Sequence, residues 1–343
     1  MQQPAIPAID AKDRANRRRF FGLAGLTTAG LASLPAALAS AAVPGPSQRD
    51  IAILRFLAAA ELIETDLWQQ YAELSAGNRA YKEALEAIDD DLPIYNIDVT
   101  EDEQSHAKFI NAFLRSIGEH GVDLDRFRVI PSPTVTGLNP IPRLTNLTDL
   151  TVDTSYFRRY QGTKNPDFGA TFAQIATIRD QPAIPTSNGL NDATLGAIVR
   201  VAAFHFASIE QGGTSLYDQF VPFVKSKKVL RIVSSIYATE AIHYAIFRDS
   251  LGGVTAFTSG DGKLVVPDLT EGQNESSHVF PKRCDFLDKS LKTTCSVIRP
   301  SSPANAGAVA TVRALKASNL FKGQSDAFFR AIMALARTAD GVG

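Results

Sequence analysis

Four segments of this chain place a glutamate where a helix should be apolar, and this constrains the fold more than anything else in the sequence. In residues 50–75, apolar side chains recur at spacings of three and four. Ile53, Leu54, Leu57, Leu67, Trp68 and Tyr71 there share a face with Glu61 and Glu64. A segment from about Asp98 to Ile117 puts Glu103 and His106 on a stripe with Ile110, Phe113, Leu114 and Ile117. Helical periodicity returns at Asn191, a residue suited to capping a helix that runs to about Phe220, and Ala203, Phe206, Glu210, Gly213, Thr214 and Tyr217 fall on one face. The fourth segment, from about Ser226 to Leu251, aligns Val229, Ile232, Val233, Ile236, Glu240, His243 and Phe247. An ionised carboxylate in a packed core is costly unless its charge is compensated.

Two of the four glutamates are followed three residues later by histidine, as Glu103-x-x-His106 and Glu240-x-x-His243. Residues three apart point the same way on a helix, so each pair offers one oxygen and one nitrogen to a single point. With Glu64 and Glu210 they make four carboxylates and two imidazoles, the donor set of di-iron and di-manganese bundles. Oxygen and imidazole donors without thiolate suit iron or manganese. The halves also repeat: Ile63-Glu64 precedes Tyr71 by the same interval as Ile209-Glu210 precedes Tyr217. With 12 Glu and five His, chance predicts about 0.2 such pairs, whereas three occur. The third, Glu275 and His278, lies among Gly, Asn and Ser and reads as a loop coincidence.

Several alternatives stay open. Glu61 shares the first stripe and is either a neighbour of the ligands or the first-helix ligand in place of Glu64. Thr100-Glu101-Asp102-Glu103 also fits a capping box, which would turn Glu103 toward the backbone. His205 falls off the Glu210 stripe and reads as a packing or surface residue, and His120 as a charge at a helix end. Tyr71 and Tyr217 read as core tyrosines that need a hydrogen-bond partner.

The set Glu64, Glu103, His106, Glu210, Glu240 and His243, on two helix pairs with a long connection between them, resembles the ferritin-like superfamily. Within it the chain is similar to exported ferritin-like domain proteins related to plant desiccation-related proteins. The resemblance implies an all-α four-helix bundle over residues 50–252 that binds two iron or manganese ions. The resemblance does not fix an activity; the six ligand-type residues on four apolar stripes lead to the expectation of redox chemistry on ferrous iron, dioxygen or peroxide, with a small molecule or metal ion as substrate. The alternative is a non-enzymatic stress or envelope protein that uses the bundle as a structural or interaction scaffold. Asp89-Asp90-Asp91 and Pro93 interrupt what is one long second helix in true ferritins, which speaks against a cage and leaves a smaller oligomer open.

The remaining sequence sets the context. Residues 1–41 join a basic region to an apolar stretch with small residues at its end, the parts of an export signal. Asn16-Arg17-Arg18-Arg19-Phe20-Phe21-Gly22 resembles the twin-arginine motif, which implies a folded, periplasmic or secreted protein. No later segment reads as a membrane span. A linker at 42–49 follows. Residues 118–190 are rich in proline and read as an irregular crossover insert, with only Phe168 to Ile178 capable of helix. Residues 253–343 form a C-terminal extension with a short strand at Lys263 to Val266, one or two helices and two cysteines. Cys284 and Cys295, an even pair in an exported chain, read as a disulfide. Basic and acidic side chains number 35 and 36, which argues against nucleic acid as a partner.

Overall fold

The computed structural model describes residues 45–159, 173–270, 278–279, 294–295 and 307–342. The segment read as an export signal, the start of the linker and Cys284, with the pairing expected between it and Cys295, lie outside the described residues. The helices are α1 (Gln48–Gly77), α2 (Arg79–Glu86), α3 (Leu92–Ser116), α4 (Tyr156–Arg159), α5 (Asp192–Phe220), α6 (Lys227–Ser250), α7 (Ala308–Ala317) and α8 (Asp326–Asp340). Short strands β1 (Thr177–Ile178), β2 (Phe257–Thr258) and β3 (Leu264–Val266) form an antiparallel sheet in the order β1-β3-β2. The strands β4 (His278–Val279) and β5 (Thr294–Cys295) pair separately. The fold is all-α, with its core between α1, α3, α5 and α6.

Contacts between helices give their directions. Asn96 donates to Ser75 at 3.1 Å, and Arg55 meets Glu119 at 2.7 Å near the opposite end, so α3 is antiparallel to α1. Tyr217 pairs with Glu61 and His205 with Tyr71, so α5 is also antiparallel to α1. α3 and α5 therefore run parallel, and the chain between them must travel back along the bundle. A 25-residue helix is about 37 Å long, a distance no tight turn can span.

Local chemistry sets the helix starts. Ser47 and Asp50 form a reciprocal capping box at α1. The buried Asp50 carboxylate also accepts from the backbone of Lys225 at 2.8 Å, tying the start of α1 to the start of α6. Asn191 caps α5 through Thr194 N at 2.9 Å. The start of α3 corrects the sequence reading: it lies at Leu92 rather than near Asp98. Pro93 occupies the first turn, where a missing N–H costs nothing. Glu103 is thus three turns inside the helix, and the capping-box alternative fails. Of the segment from Phe168 to Ile178, the described part, 173–178, is not helical, and its Thr177–Ile178 pairs with β3.

A polar ridge on α1 holds the crossover. Asp66, Gln70 and Glu73 stand one turn apart on the helix. Asp66 accepts from the backbone of Leu144 and Thr145 at 3.0 and 2.9 Å and from the Thr145 hydroxyl at 2.7 Å, and it pairs with Arg128. Gln70 bonds the Thr145 hydroxyl at 2.9 Å, and Glu73 takes both terminal nitrogens of Arg143, a fully buried arginine. At the end of α1, a side chain on Gly77 would meet Gly137 Cα at 2.8 Å, so the two backbones touch where glycine faces glycine. Outside the bundle, α8 packs along α1, and Gln324 just before it bonds the carbonyls of Phe127 and Leu144 at 2.8 and 3.0 Å.

Among the described residues, α5 with its short extension to Phe223 is the one helix long and apolar enough to cross a membrane, and 61% of its 18-residue apolar window is buried inside the protein. Its hydropathy is that of a central core helix, with Phe204, Phe206 and Tyr217 packed inward.

Removing the Asp66 carboxylate strands two buried amide donors and a guanidinium. Asp66→Ala should cost about 2–4 kcal/mol in urea unfolding. A loss under about 0.5 kcal/mol would show that the ridge does not hold the crossover.

Candidate metal centre

At mid-bundle the four long helices bring their acidic and imidazole side chains together in two overlapping groups. Glu61, Glu103, His106 and Glu240 form one, and Glu103, Glu210 and His243 the other. Within each, one donor atom per residue lies within 4.8 Å of the rest. His106 Nδ1 stands 3.2 Å from Glu103 and 3.3 Å from Glu61, with Glu240 at 3.9 Å. His243 Nδ1 stands 3.2 Å from Glu103 and 3.3 Å from Glu210. The two rings face each other with centroids 6.5 Å apart. Glu103 belongs to both groups and joins them.

Five of the six sequence-derived ligands lie in these groups, and Glu61 joins them in the place read for Glu64. Glu64 stands alongside: a side chain on Gly213 would lie 3.4 Å from its Oε1 and 2.1 Å from Glu240 Oε2. Glycine at 213 lets the α5 backbone come up against both carboxylates. Tyr217 donates to Glu61 Oε1, whereas the Tyr71 hydroxyl pairs with His205 Nδ1 at 2.8 Å and belongs to neither group. His205 is buried, at 3% exposure, with Tyr71 as its partner, so of the two readings from sequence the surface one falls.

Asp102 is the residue that sequence reasoning missed. It precedes Glu103 on α3 and accepts from His243 Nε2 at 3.1 Å. That bond fixes the α6 imidazole with Nδ1 turned into the cluster. The signal was a carboxylate next to a stripe residue, on the edge of α3 that faces α6. The matching position before Glu240 is Thr239, so His106 has no equivalent carboxylate there.

Packing this many charges together reshapes their proton affinities. Burial, then repulsion from Glu103, pushes Glu61 up to about 8. Glu64 and Glu240 are raised well above the usual carboxylate range by the same two causes, and Glu210 is raised chiefly by burial. Glu103 goes the other way. Burial opposes ionisation, but the hydrogen bond from His106 and the His243 imidazole beside it hold it down to about 2. Against its own burial, His106 is raised to about 10 by Glu103 and Glu61. His243 is raised well above its ordinary value by Glu210, Asp102 and Glu103. Without metal the cluster therefore stores protons.

The donors fit a metal ion. Glu61 Oε2, Glu103 Oε1, both oxygens of Glu210 and of Glu240, and His243 Nδ1 are buried and make no well-formed hydrogen bond among the described residues. Buried polar atoms are rarely left so, and these converge on common points. All are oxygen or imidazole nitrogen, the donor chemistry of divalent cations that avoid thiolate.

Two predictions follow from these proton affinities and bonds. Raised affinities in the folded state stabilise the metal-free protein fully below the unfolded values, near 4.5 for Glu61 and 6.5 for His106. That stability is lost as pH rises through about 8 and about 10. The melting temperature of chelator-treated protein should thus fall from pH 5 to pH 9, and divalent metal should oppose the fall, since binding displaces the protons. A metal-free midpoint that rises over that range would contradict the cluster's proton balance. Asp102→Asn should weaken metal binding by about 10–100-fold in competition titrations with little change in fold, and unchanged affinity would deny Asp102 its role in aiming His243.

A comparison with protein families matches the ferritin-like domain to residues 49–253. No curated protein and no solved structure matches the chain. The family match covers more than half of the sequence and includes α1, α3, α5 and α6 with every donor described above. The chain belongs to the ferritin-like domain family.

Proposed function

We propose that the protein is an exported dinuclear iron or manganese carboxylate protein whose metal pair performs redox chemistry on ferrous iron, dioxygen or peroxide. The observation that carries this reading is a pair of buried donor groups sharing Glu103, whose convergent oxygens face the two imidazoles but for the most part make no well-formed hydrogen bond among the described residues. Glu61, His106 and Glu240 would hold one ion, Glu210 and His243 the other, with Glu103 between them and Glu64 beside the second. A bound pair supplies the change of oxidation state.

The protein residues bind, orient and manage protons. Four carboxylates, Glu64, Glu103, Glu210 and Glu240, balance the charge of two divalent ions. Glu61 is the fifth; in the metal-free cluster it holds a proton beside the Tyr217 hydroxyl, which an arriving ion would displace. Trp68, Phe206 and Phe247 close one side of the cluster and keep bulk water from it. A substrate that reaches such a site must be small, in keeping with dioxygen, peroxide or a metal ion.

Residues 1–41, which resemble a twin-arginine signal, support export of the folded, metal-loaded chain to the periplasm or beyond. Folding before export would bury the carboxylates while metal is at hand.

The test is metal content and its consequence. Protein purified without chelators, or reconstituted with ferrous or manganous ion, should carry about two ions per chain, and the Glu103→Ala, His106→Ala double variant should carry few. Less than about one ion per two chains after reconstitution would overturn the reading. Ions that bind but neither oxidise nor turn over with dioxygen or peroxide would confine the protein to metal binding.

A further inference from the structure

The chain covers two of its four long helices from outside and leaves the other pair bare. Along α1 lie α8 and the loop held by Asp66, Gln70 and Glu73. On α5, Arg200 donates to the Thr255 carbonyl and Ser208 to the Asp153 carbonyl, both at 3.1 Å, while the Phe204 carbonyl accepts from Tyr156 at 3.2 Å. The large apolar side chains that stand exposed on the long helices are all on the second pair. They are Ile94 and Phe109 on α3 and Leu230 and Ile242 on α6, between 37% and 57% exposed. Single exposed apolar residues are ordinary, but gathered on one side of a bundle they point to a contact surface.

The charges on that side are sorted by end. α6 starts where α1 starts, at the Asp50 tie, so it runs antiparallel to α3, and Ser250 at its end donates to Asp89 just before α3 at 2.7 Å. This end gathers Asp98 and Glu101 from α3 with Asp249 from α6. Burial, Asp91 and Asp89 push the Tyr95 hydroxyl there up to about 12, and Asp249 adds to them. The opposite end gathers Lys108 and Arg115 from α3 with Lys228 and Arg231 from α6, and its one nearby carboxylate, Glu119, is taken by Arg55. Asp98, Glu101, Asp249, Lys108, Lys228 and Arg231 are exposed and form no ion pair among the described residues.

We propose that the outer side of α3 and α6 is the interface of a homodimer, with a second copy of this chain docked on the same surface in the inverted direction. A two-fold axis lying in the interface and crossing the helices sets α3 on α3 and α6 on α6, each antiparallel. The acidic end of each copy then meets the basic end of the other, with Phe109 and Ile242 of both copies between. The midpoint of Glu101 and Lys108 on α3 lies within half a turn of Glu103, and that of Arg231 and Asp249 on α6 falls at Glu240. Glu103 and Glu240 meet in the donor cluster, so one axis serves both helices. Such an interface is isologous and closes at two subunits. A nucleic acid would meet the acidic end as well as the basic one, and a peptide of one sign would fit only half of the surface. The pairing does not depend on the metals.

The experiment is sedimentation velocity of the full chain at tens of micromolar. A dimer is expected, dissociating at least tenfold more readily in high salt, which screens its end-to-end charges. Phe109→Asp should be monomeric with an unchanged circular dichroism spectrum. So should Lys228→Glu with Arg231→Glu, which has two acidic ends, and Asp98→Lys with Glu101→Lys, which has two basic ends. Mixed together, these two charge-reversed proteins should pair with each other. Zero-length cross-linking of mixed heavy- and light-isotope wild-type chains needs no variant that folds. Lys228 should join Asp249 between a heavy and a light chain, a link that one chain cannot make, since the two residues lie about 30 Å apart along α6. A monomeric wild type overturns the proposal. So does a dimer that survives Phe109→Asp and both reversals, a dimer whose cross-links between chains all lie elsewhere, or a mixture of folded reversed proteins that does not associate.

Discussion

Everything in this fold answers to the cost of burying Glu61, Glu64, Glu103, Glu210 and Glu240 against one another. The carboxylates come from four helices, so the repulsion acts between the elements that must pack to form the core. Two imidazoles and a store of protons offset part of it when metal is absent, as the raised affinities of Glu61 and His106 show. Neither removes the unpaired oxygens, and a well-packed apolar core of the same volume would be cheaper. A bundle that keeps such a centre trades stability for a place where cations can be held.

Because the centre works against cohesion, the helices need ties elsewhere, and these lie away from it. Asp50 joins the starts of α1 and α6. The ridge of Asp66, Gln70 and Glu73 clamps the crossover to the outer side of α1, and the buried Arg143 is part of that clamp. The parallel course of α3 and α5 forces a long connection, and these bonds make it a brace. α8 lies against the same helix, so α1 is held on three sides while its inner face presents Glu61 and Glu64.

How much of this the sequence disclosed depends on whether the cause was local. The four stripes and the paired Glu-x-x-His spacings are properties of single helices, and they were legible. So was the N-cap at Asn191, whose partner is three residues away. The start of α3 was misjudged because three aspartates and a proline read as a stop, although proline in a first turn is harmless. The tie between Asp66 and Thr145 was invisible, since no periodicity links a helix residue to a loop 79 residues on. Asp102 and His205 were hidden for the same reason: their partners lie on other helices, at His243 and Tyr71. The choice between Glu61 and Glu64 turns on a rotation of less than one helical turn, finer than stripe assignment can resolve.

The internal repeat sharpens what the geometry leaves unequal. Glu64 and Tyr71 match Glu210 and Tyr217, and Glu103 and His106 match Glu240 and His243. On the same register Glu61 falls opposite Ala207, Trp68 opposite Thr214 and Asp102 opposite Thr239. Each mismatch separates the two donor groups. The group around His106 gains a carboxylate that holds a proton beside Tyr217, while the group around His243 gains an imidazole locked by Asp102. The aromatic layer of Trp68, Phe206 and Phe247 likewise closes one end of the centre, whereas Gly213 and Thr214 leave smaller side chains at the other. A repeat that only built a bundle would have no reason to conserve its ligands and vary their neighbours. Ions held in such a frame would see different charge, different proton partners and different access.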